Sequence, residues 1–299
     1  MFDISRRTFL GTAALTAASP ALNVFAQGRA GGAAAPVALP EGVTIEKDVT
    51  YGTGGSMELR LDIYKPKPGR EKRAATVHLH GGGFTGGSKD TLNERILPFA
   101  GHGYVAIAAQ YRLLGQSPWP GMLEDAKTAI RWTRANAARL NIDPARIIIV
   151  GYSAGGYLAL TVAGTQNRAE MEGTGGHAGA GTQLEAAVAF YPVVDGGPPP
   201  SAAPTSYINA SYAPTVIFHG VADTTVPIES SQRLFQRLRD GKIPSKAPNT
   251  SSIAIPAWRL PAVPWPTCSL PVSARNQRPR FGPPSRLSCR SSAASFDSR

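Results

Sequence analysis

A serine framed by glycines at the end of an apolar run is the strongest chemical signal in the chain. Gly151-Tyr152-Ser153-Ala154-Gly155-Gly156 follows Arg146–Val150 (RIIIV) and leads into small residues suited to a helix. In a Gly-x-Ser-x-Gly pattern the serine occupies a strained strand-to-helix turn, so its neighbours must be small. The turn lifts the hydroxyl above the sheet edge, and the helix N-terminus beneath it adds positive potential. That is the design of a nucleophile. An idle serine in a tight glycine turn is the alternative.

Two further segments supply matching chemistry. His80-Gly81-Gly82-Gly83-Phe84 follows the apolar run ATVHLH. Its bare glycines leave backbone N–H groups free to point at a developing oxyanion, with Gly82 and Gly83 as donors and the Ala154 N–H completing the hole. A phosphate-cradling loop is disfavoured, because no Lys-Ser/Thr pair follows at P-loop spacing. His80 reads as a loop-shaping residue, not a base. Later, His219-Gly220-Val221-Ala222-Asp223 places an acid after a late strand, where it would hold an imidazole in its productive tautomer. A helix-entry cap is the other reading of Asp223.

These residues need a frame, and the hydrophobic pattern supplies one. Strands are expected at Val49–Tyr51, Leu59–Tyr64, Ala75–His80, Tyr104–Tyr111, Arg146–Val150, Leu184–Tyr191 and Pro214–His219. Helices are expected at Leu92–His102, from Met122 to Leu140, at Ala154–Ala163 and at Pro227–Arg239, the last stopped by Gly241. Strands alternating with helices imply a doubly wound α/β fold around a mainly parallel sheet. No internal repeat is visible.

The motifs, in this order, resemble the α/β-hydrolase superfamily, specifically the exported esterases of the hormone-sensitive-lipase and feruloyl/acetyl-xylan-esterase-like (BD-FAE-like) groups. HGGGF, Tyr111-Arg112, the Asp125–Trp132 helix and GYSAGG carry the likeness, which covers roughly Val43 to Lys242. It implies a serine carboxylester hydrolase with an acyl-enzyme intermediate, with Ser153 and Asp223 catalytic and no cofactor or metal. Asp125 and Tyr111 are shared with these esterases and read as structural. In their chain order serine precedes the acid and the acid precedes histidine. Here the five histidines are His78, His80, His102, His177 and His219, and none follows Asp223. His219 reads as too close to Asp223 in sequence to serve as its partner; His177, in GTGGHAGAG, is the one replacement to consider.

The expected division is a twin-arginine-type signal peptide at 1–26, a flexible leader at 27–42, the hydrolase domain at 43–242 and an irregular tail at 243–299. Ser5-Arg6-Arg7-Thr8-Phe9-Leu10 carries the first call, with periplasmic or secreted localisation. The apolar run behind it is short and alanine-rich, so no stable membrane insertion is expected after cleavage. The tail holds ten prolines, eleven serines, seven arginines and one acid, Asp297. With Lys246 that is +7 of the chain's net +11, so the body has no basic stripe and nucleic-acid binding is not expected. Both cysteines, Cys268 and Cys289, also fall there, and whether they pair is open.

The change of composition, the missing last strand and helix, and the missing histidine begin together near residue 243. Out-of-frame translation of a GC-rich gene gives that combination; a genuine tail would leave the lost base unexplained. The expected ligand is a small-molecule ester in an open pocket. The alternatives are a catalytically inactive ligand-binding remnant and a serine peptidase on the same fold.

Overall fold

The structure, a computed structural model, describes residues 38–246. The export signal, Ser251–Trp258 and both cysteines lie outside the described residues. Eight strands form one sheet: β1 (Thr44–Gly54), β2 (Met57–Lys65), β3 (Arg73–Leu79), β4 (Val105–Ala109), β5 (Ile142–Tyr152), β6 (Ala186–Phe190), β7 (Thr215–Phe218) and β8 (Ser245–Lys246). Their spatial order is β1-β2-β4-β3-β5-β6-β7-β8. β2 pairs antiparallel with both neighbours, and every pairing from β4 to β8 is parallel.

Five helices connect the strands: α1 (Asn93–Gly101), α2 (Gly121–Ala135), α3 (Ala137–Leu140), α4 (Ala154–Gly164) and α5 (Ile228–Asp240). The helix expected from Met122 to Leu140 is divided at Asn136, whose side-chain amide donates to the Trp132 carbonyl at 2.9 Å. Asn136 thus closes α2 before α3 begins, as a side chain able to satisfy helix-end carbonyls does.

The strand alternation sends residues to two apolar layers. On one face Ala187, Ala189, Ile217, Ile147 and Ile149 pack with α2, α4 and the Leu234–Leu238 stripe of α5. On the other, α1 covers Ala106, Ala108, Val150 and Tyr152, while Val188 and Phe190 farther along stay half-buried. A comb of stacked rings runs across that second face at the carboxyl ends of three strands. Tyr152 stacks on Phe190 at 5.0 Å and Phe190 on Phe218 at 4.9 Å between centroids.

The sheet edge differs from expectation in one detail. Where the sequence suggests no strand beyond β7, Ser245 pairs with Thr215 and Lys246 with Val216. Ile243 is buried ahead of them. The final strand is therefore present as a two-residue stub, and residues fitted to the fold run past Lys242 to Lys246.

Candidate active site

The order β4-β3-β5 reverses the direction in which the sheet grows, so a topological switch point falls between β3 and β5. In open α/β sheets ligands bind at such a switch point, beyond the carboxyl ends of the strands. Leu79, Gly151, Ala189 and Ile217 stand in one row across β3, β5, β6 and β7. The loops bearing Gly82, Ser153 and Asp223 consequently open on the same edge.

Ser153 sits between the end of β5 and the first turn of α4 with φ 54° and ψ −116°. A positive φ is uncommon for a residue with a Cβ and costs energy that the surroundings must offset. Three backbone hydrogen bonds hold it there. Its N–H donates to the Phe190 carbonyl at 3.0 Å, and its own carbonyl accepts from Tyr157 at 3.1 Å and Val193 at 3.2 Å. The flanking glycines are sterically required. A Cβ on Gly151 would stand 2.1 Å from the Gly155 carbonyl oxygen, and one on Gly155 would stand 2.2 Å from that of Leu79.

The glycine loop lies against this turn. A Cβ on Gly81 would meet the Tyr152 carbonyl oxygen at 3.0 Å and the Ser153 Cβ at 3.1 Å. The Gly82 carbonyl accepts from Thr85 at 3.2 Å and Gly86 at 3.0 Å, curling the loop. Neither the Gly82 nor the Gly83 N–H is used in a hydrogen bond among the described residues. Ala154 is the first residue of α4, so its N–H has no carbonyl one turn behind it. His80 is fully buried, stacked on Tyr111 at 4.2 Å, and its Nδ1–H donates to the Gly81 carbonyl at 2.8 Å. Tyr111 in turn donates its hydroxyl to the His80 carbonyl at 2.7 Å. Burial lowers the His80 pKa to about 4, so the ring is neutral and shapes the loop.

Asp223 lies in the loop after β7. Its Oδ1 accepts from the N–H groups of Thr225 at 2.8 Å and Val226 at 2.9 Å. Its Oδ2 stands 3.6 Å from Nε2 of His219, so the expectation that these two residues cannot meet is corrected. The turn closed by the Asp223 N–H on the Gly220 carbonyl folds the chain back and sets positions four apart side by side. His219 is nonetheless occupied. Its Nε2–H donates to the Val226 carbonyl at 2.7 Å, and its Nδ1 lies 2.8 Å from the Ser231 hydroxyl.

The other histidines are held elsewhere. His78 is buried within β3, paired with Thr76 Oγ1 at 2.9 Å, and burial pushes its pKa down to about 3. His102 closes α1. His177 Nε2 lies 3.1 Å from the carbonyl of Tyr51 on β1, four strands from β5 in the sheet order, or about 19 Å by strand spacing. The structure thus packs the glycine loop, through Gly81, against the Ser153 turn and sets His219 beside Asp223.

Asp125 and Arg112 form the scaffold below. Arg112 makes a fork–fork pair with the carboxylate, Nη2 to Oδ1 at 2.8 Å and Nε to Oδ2 at 2.8 Å, and its backbone N–H donates to Oδ2 as well. Tyr157, whose N–H donates to the Ser153 carbonyl, meets Trp119 edge-on at 6.0 Å, and neither ring belongs to the sequence motifs. Tyr157 could have been flagged by its spacing of four from Ser153; nothing in the local pattern marks Trp119.

Comparison with known proteins fits this geometry. The BD-FAE family model matches residues 61–197 and 199–238. The chain belongs to the BD-FAE family. It is 35% identical over 129 residues to the carboxylesterase NlhH of Mycobacterium tuberculosis, covering 43% of this chain and 40% of NlhH. The probable carboxylic ester hydrolase LipM of the same species is 28% identical over 223 residues, 64% of this chain and 51% of LipM. The chain therefore spans about half or less of these two relatives. The thermophilic esterase Est2 of Thermogutta terrifontis matches in structure with a TM-score of 0.60 and 31% identity, covering 69% of this chain and 80% of Est2. The fold is that of the α/β hydrolases.

Proposed function

We propose that the BD-FAE domain of this chain is built as a serine carboxylester hydrolase acting on small-molecule esters. The observation that carries this reading is the contact between the strained Ser153 turn and the glycine loop, with the Gly82, Gly83 and Ala154 N–H groups as the oxyanion hole. In the reaction Ser153 Oγ bonds to the acyl carbon while the carbonyl π pair moves onto the oxygen facing those donors. Collapse expels the alcohol and leaves the acyl group on Ser153; water then attacks the acyl-enzyme and releases the acid. Each oxyanion donor is typically worth about 10²–10³ in rate. A short acyl group is supported by the propionate-bound and butyrate-bound structures of the 31% identical Est2. A sugar-linked alcohol is supported by the likeness to a gut-microbial carbohydrate esterase, 25% identical over 68% of this chain, with a TM-score of 0.60.

The mechanism requires a base to take the Ser153 proton and return it to the leaving alcohol, with Asp223 orienting it. Among the five histidines, two are buried and neutral, one closes a helix, one is tied to β1 and His219 is bonded on both ring nitrogens. That observation favours a second reading, a ligand-binding remnant with impaired catalysis. Loss of the base in a comparable triad costs about 10⁶ in turnover, while the oxyanion hole and binding alone leave roughly 10³–10⁴ over water. The 299-residue chain is accordingly expected to hydrolyse p-nitrophenyl acetate only marginally, and Ser153→Ala should change that rate little. Robust turnover abolished by Ser153→Ala would establish an intact base and refute the impairment. Export by the twin-arginine route and an out-of-frame tail complete the proposal. The coding DNA tests the tail: another frame should encode a histidine-bearing loop and an amphipathic helix.

A further inference from the structure

The side of the site on which the base would act fixes which part of an ester lies where. The group that returns a proton to the leaving alcohol must be oriented by Asp223, which lies beyond β7. The alcohol therefore leaves on the β6–β7 side of Ser153. The acyl chain points the opposite way, over the loops that follow β3 and β4.

Two rings come from those loops, Phe84 after β3 and Trp119 after β4, and both meet Tyr157 of α4. Phe84 follows Gly83 directly, is buried, and meets Tyr157 edge-on at 5.3 Å between centroids. Tyr157 is one turn along α4 from Ser153 and meets Trp119 edge-on at 6.0 Å. Helical side chains lean toward the helix N-terminus, so the Tyr157 ring leans toward the Ser153 end of α4. It is immobilised there. Its hydroxyl donates to the Ala202 carbonyl at 2.8 Å, and a Cβ on Gly197 would stand 2.1 Å from its Cε2. The two loops that bring the other rings are tied together by the Leu114 N–H, which donates to the Phe84 carbonyl at 2.9 Å. Phe84 and Tyr157 are fixed by burial, whereas Trp119 is half-buried and forms the outer member of the wall.

We infer that Trp119 is a specificity-determining residue that ends the acyl subsite and restricts it to short acyl chains. This rests on the carboxylester-hydrolase reading, and it adds a chain-length limit set by one side chain. Removing the indole should open a channel along Phe84 and Tyr157 and let a longer chain lie against them. One methylene in an apolar pocket is typically worth about tenfold or more in discrimination, so the effect of four methylenes is easily read.

The test uses product acids, whose binding needs no base. Dissociation constants for butyrate and octanoate are measured by calorimetry on the full chain, on Trp119→Ala and on Trp119→Phe. The expected result is that Trp119→Ala shifts the octanoate-to-butyrate preference at least about tenfold toward octanoate while Trp119→Phe shifts it less. An unchanged preference, or no binding of either acid to the full chain, would overturn the inference. If Trp119→Ala does not fold, Trp119→Leu is read in its place with the same expectation. The p-nitrophenyl acetate assay with Ser153→Ala is read separately: it reports on the esterase reading, whereas the octanoate-to-butyrate preference reports on Trp119.

Discussion

A Cβ added to Gly81 would stand 3.1 Å from the Cβ of Ser153, which makes the glycine loop and the Ser153 turn a single packed unit. The second close atom is the Tyr152 carbonyl oxygen, at 3.0 Å, and backbone cannot swing aside as a flexible side chain would. Gly81→Ala should therefore displace the Gly82 and Gly83 N–H groups. The marginal hydrolysis of p-nitrophenyl acetate should fall by about 10², the scale of one lost oxyanion donor. Steady-state rates, with near-ultraviolet dichroism to verify folding, check this; an unaltered rate would separate the loop from catalysis.

His177 is expected to be a structural residue. Its bond to the Tyr51 carbonyl fastens the 165–182 loop to β1, together with the Thr53 N–H on the Gly175 carbonyl at 3.0 Å. His177→Ala should leave ester hydrolysis unchanged and lower the unfolding free energy by about 1 kcal/mol, the usual net worth of one hydrogen bond. Urea titration beside a rate assay reads both quantities, and a large rate loss would restore His177 as the base.

Acidification should destabilise the domain before the carboxylates titrate. Burial depresses the pKa of His78 to about 3 and of His80 to about 4, while both return toward 6.5 in the unfolded chain. Between these values the unfolded state binds more protons, so stability falls as pH drops below about 6.5. At pH 5 each ring contributes about 2 kcal/mol of loss relative to pH 7. Urea midpoints at the two pH values measure the sum, and a flat profile would contradict neutral burial of both rings.

How much of this was legible in the chain depends on how local the determinant is. The strands around HLHGGG and IIIVGYS, and the helix after Ser153, follow from apolar runs broken by glycine, so the Ser153 turn could be placed from sequence. β8 could not, because two residues beginning one position after Pro244 carry no period. The approach of His219 to Asp223 was misjudged for a related reason. Spacing of four says nothing until the Gly220 turn is known to fold the loop back. Trp119 was invisible because it reaches the site through a ring contact with Tyr157, 38 positions away.

Asp125 is expected to be the most sensitive polar position. It is nearly inaccessible and satisfies both the Arg112 guanidinium and the Arg112 backbone N–H. Asp125→Ala would leave a largely buried cation without its counter-charge, at a cost of about 3–5 kcal/mol. A fall of that size in urea should be accompanied by earlier proteolysis in residues 112–120, the loop that carries Trp119. A change under 1 kcal/mol would mean that water replaces the carboxylate.

The two-residue strand β8 also marks a graft point. Ser245 and Lys246 keep a constant offset of thirty from Thr215 and Val216, so position 248 of any chain continued in register would face Phe218. Pro248 stands there in this sequence, and proline cannot donate to a parallel ladder. A chimera that keeps this chain through Lys246 and takes a relative's last strand, loop and helix from that point should extend the ladder. The borrowed helix would settle on the half-covered Phe190 and Phe218 rings. The seam is narrow, because a junction displaced by one residue would turn every following side chain to the opposite face of the sheet.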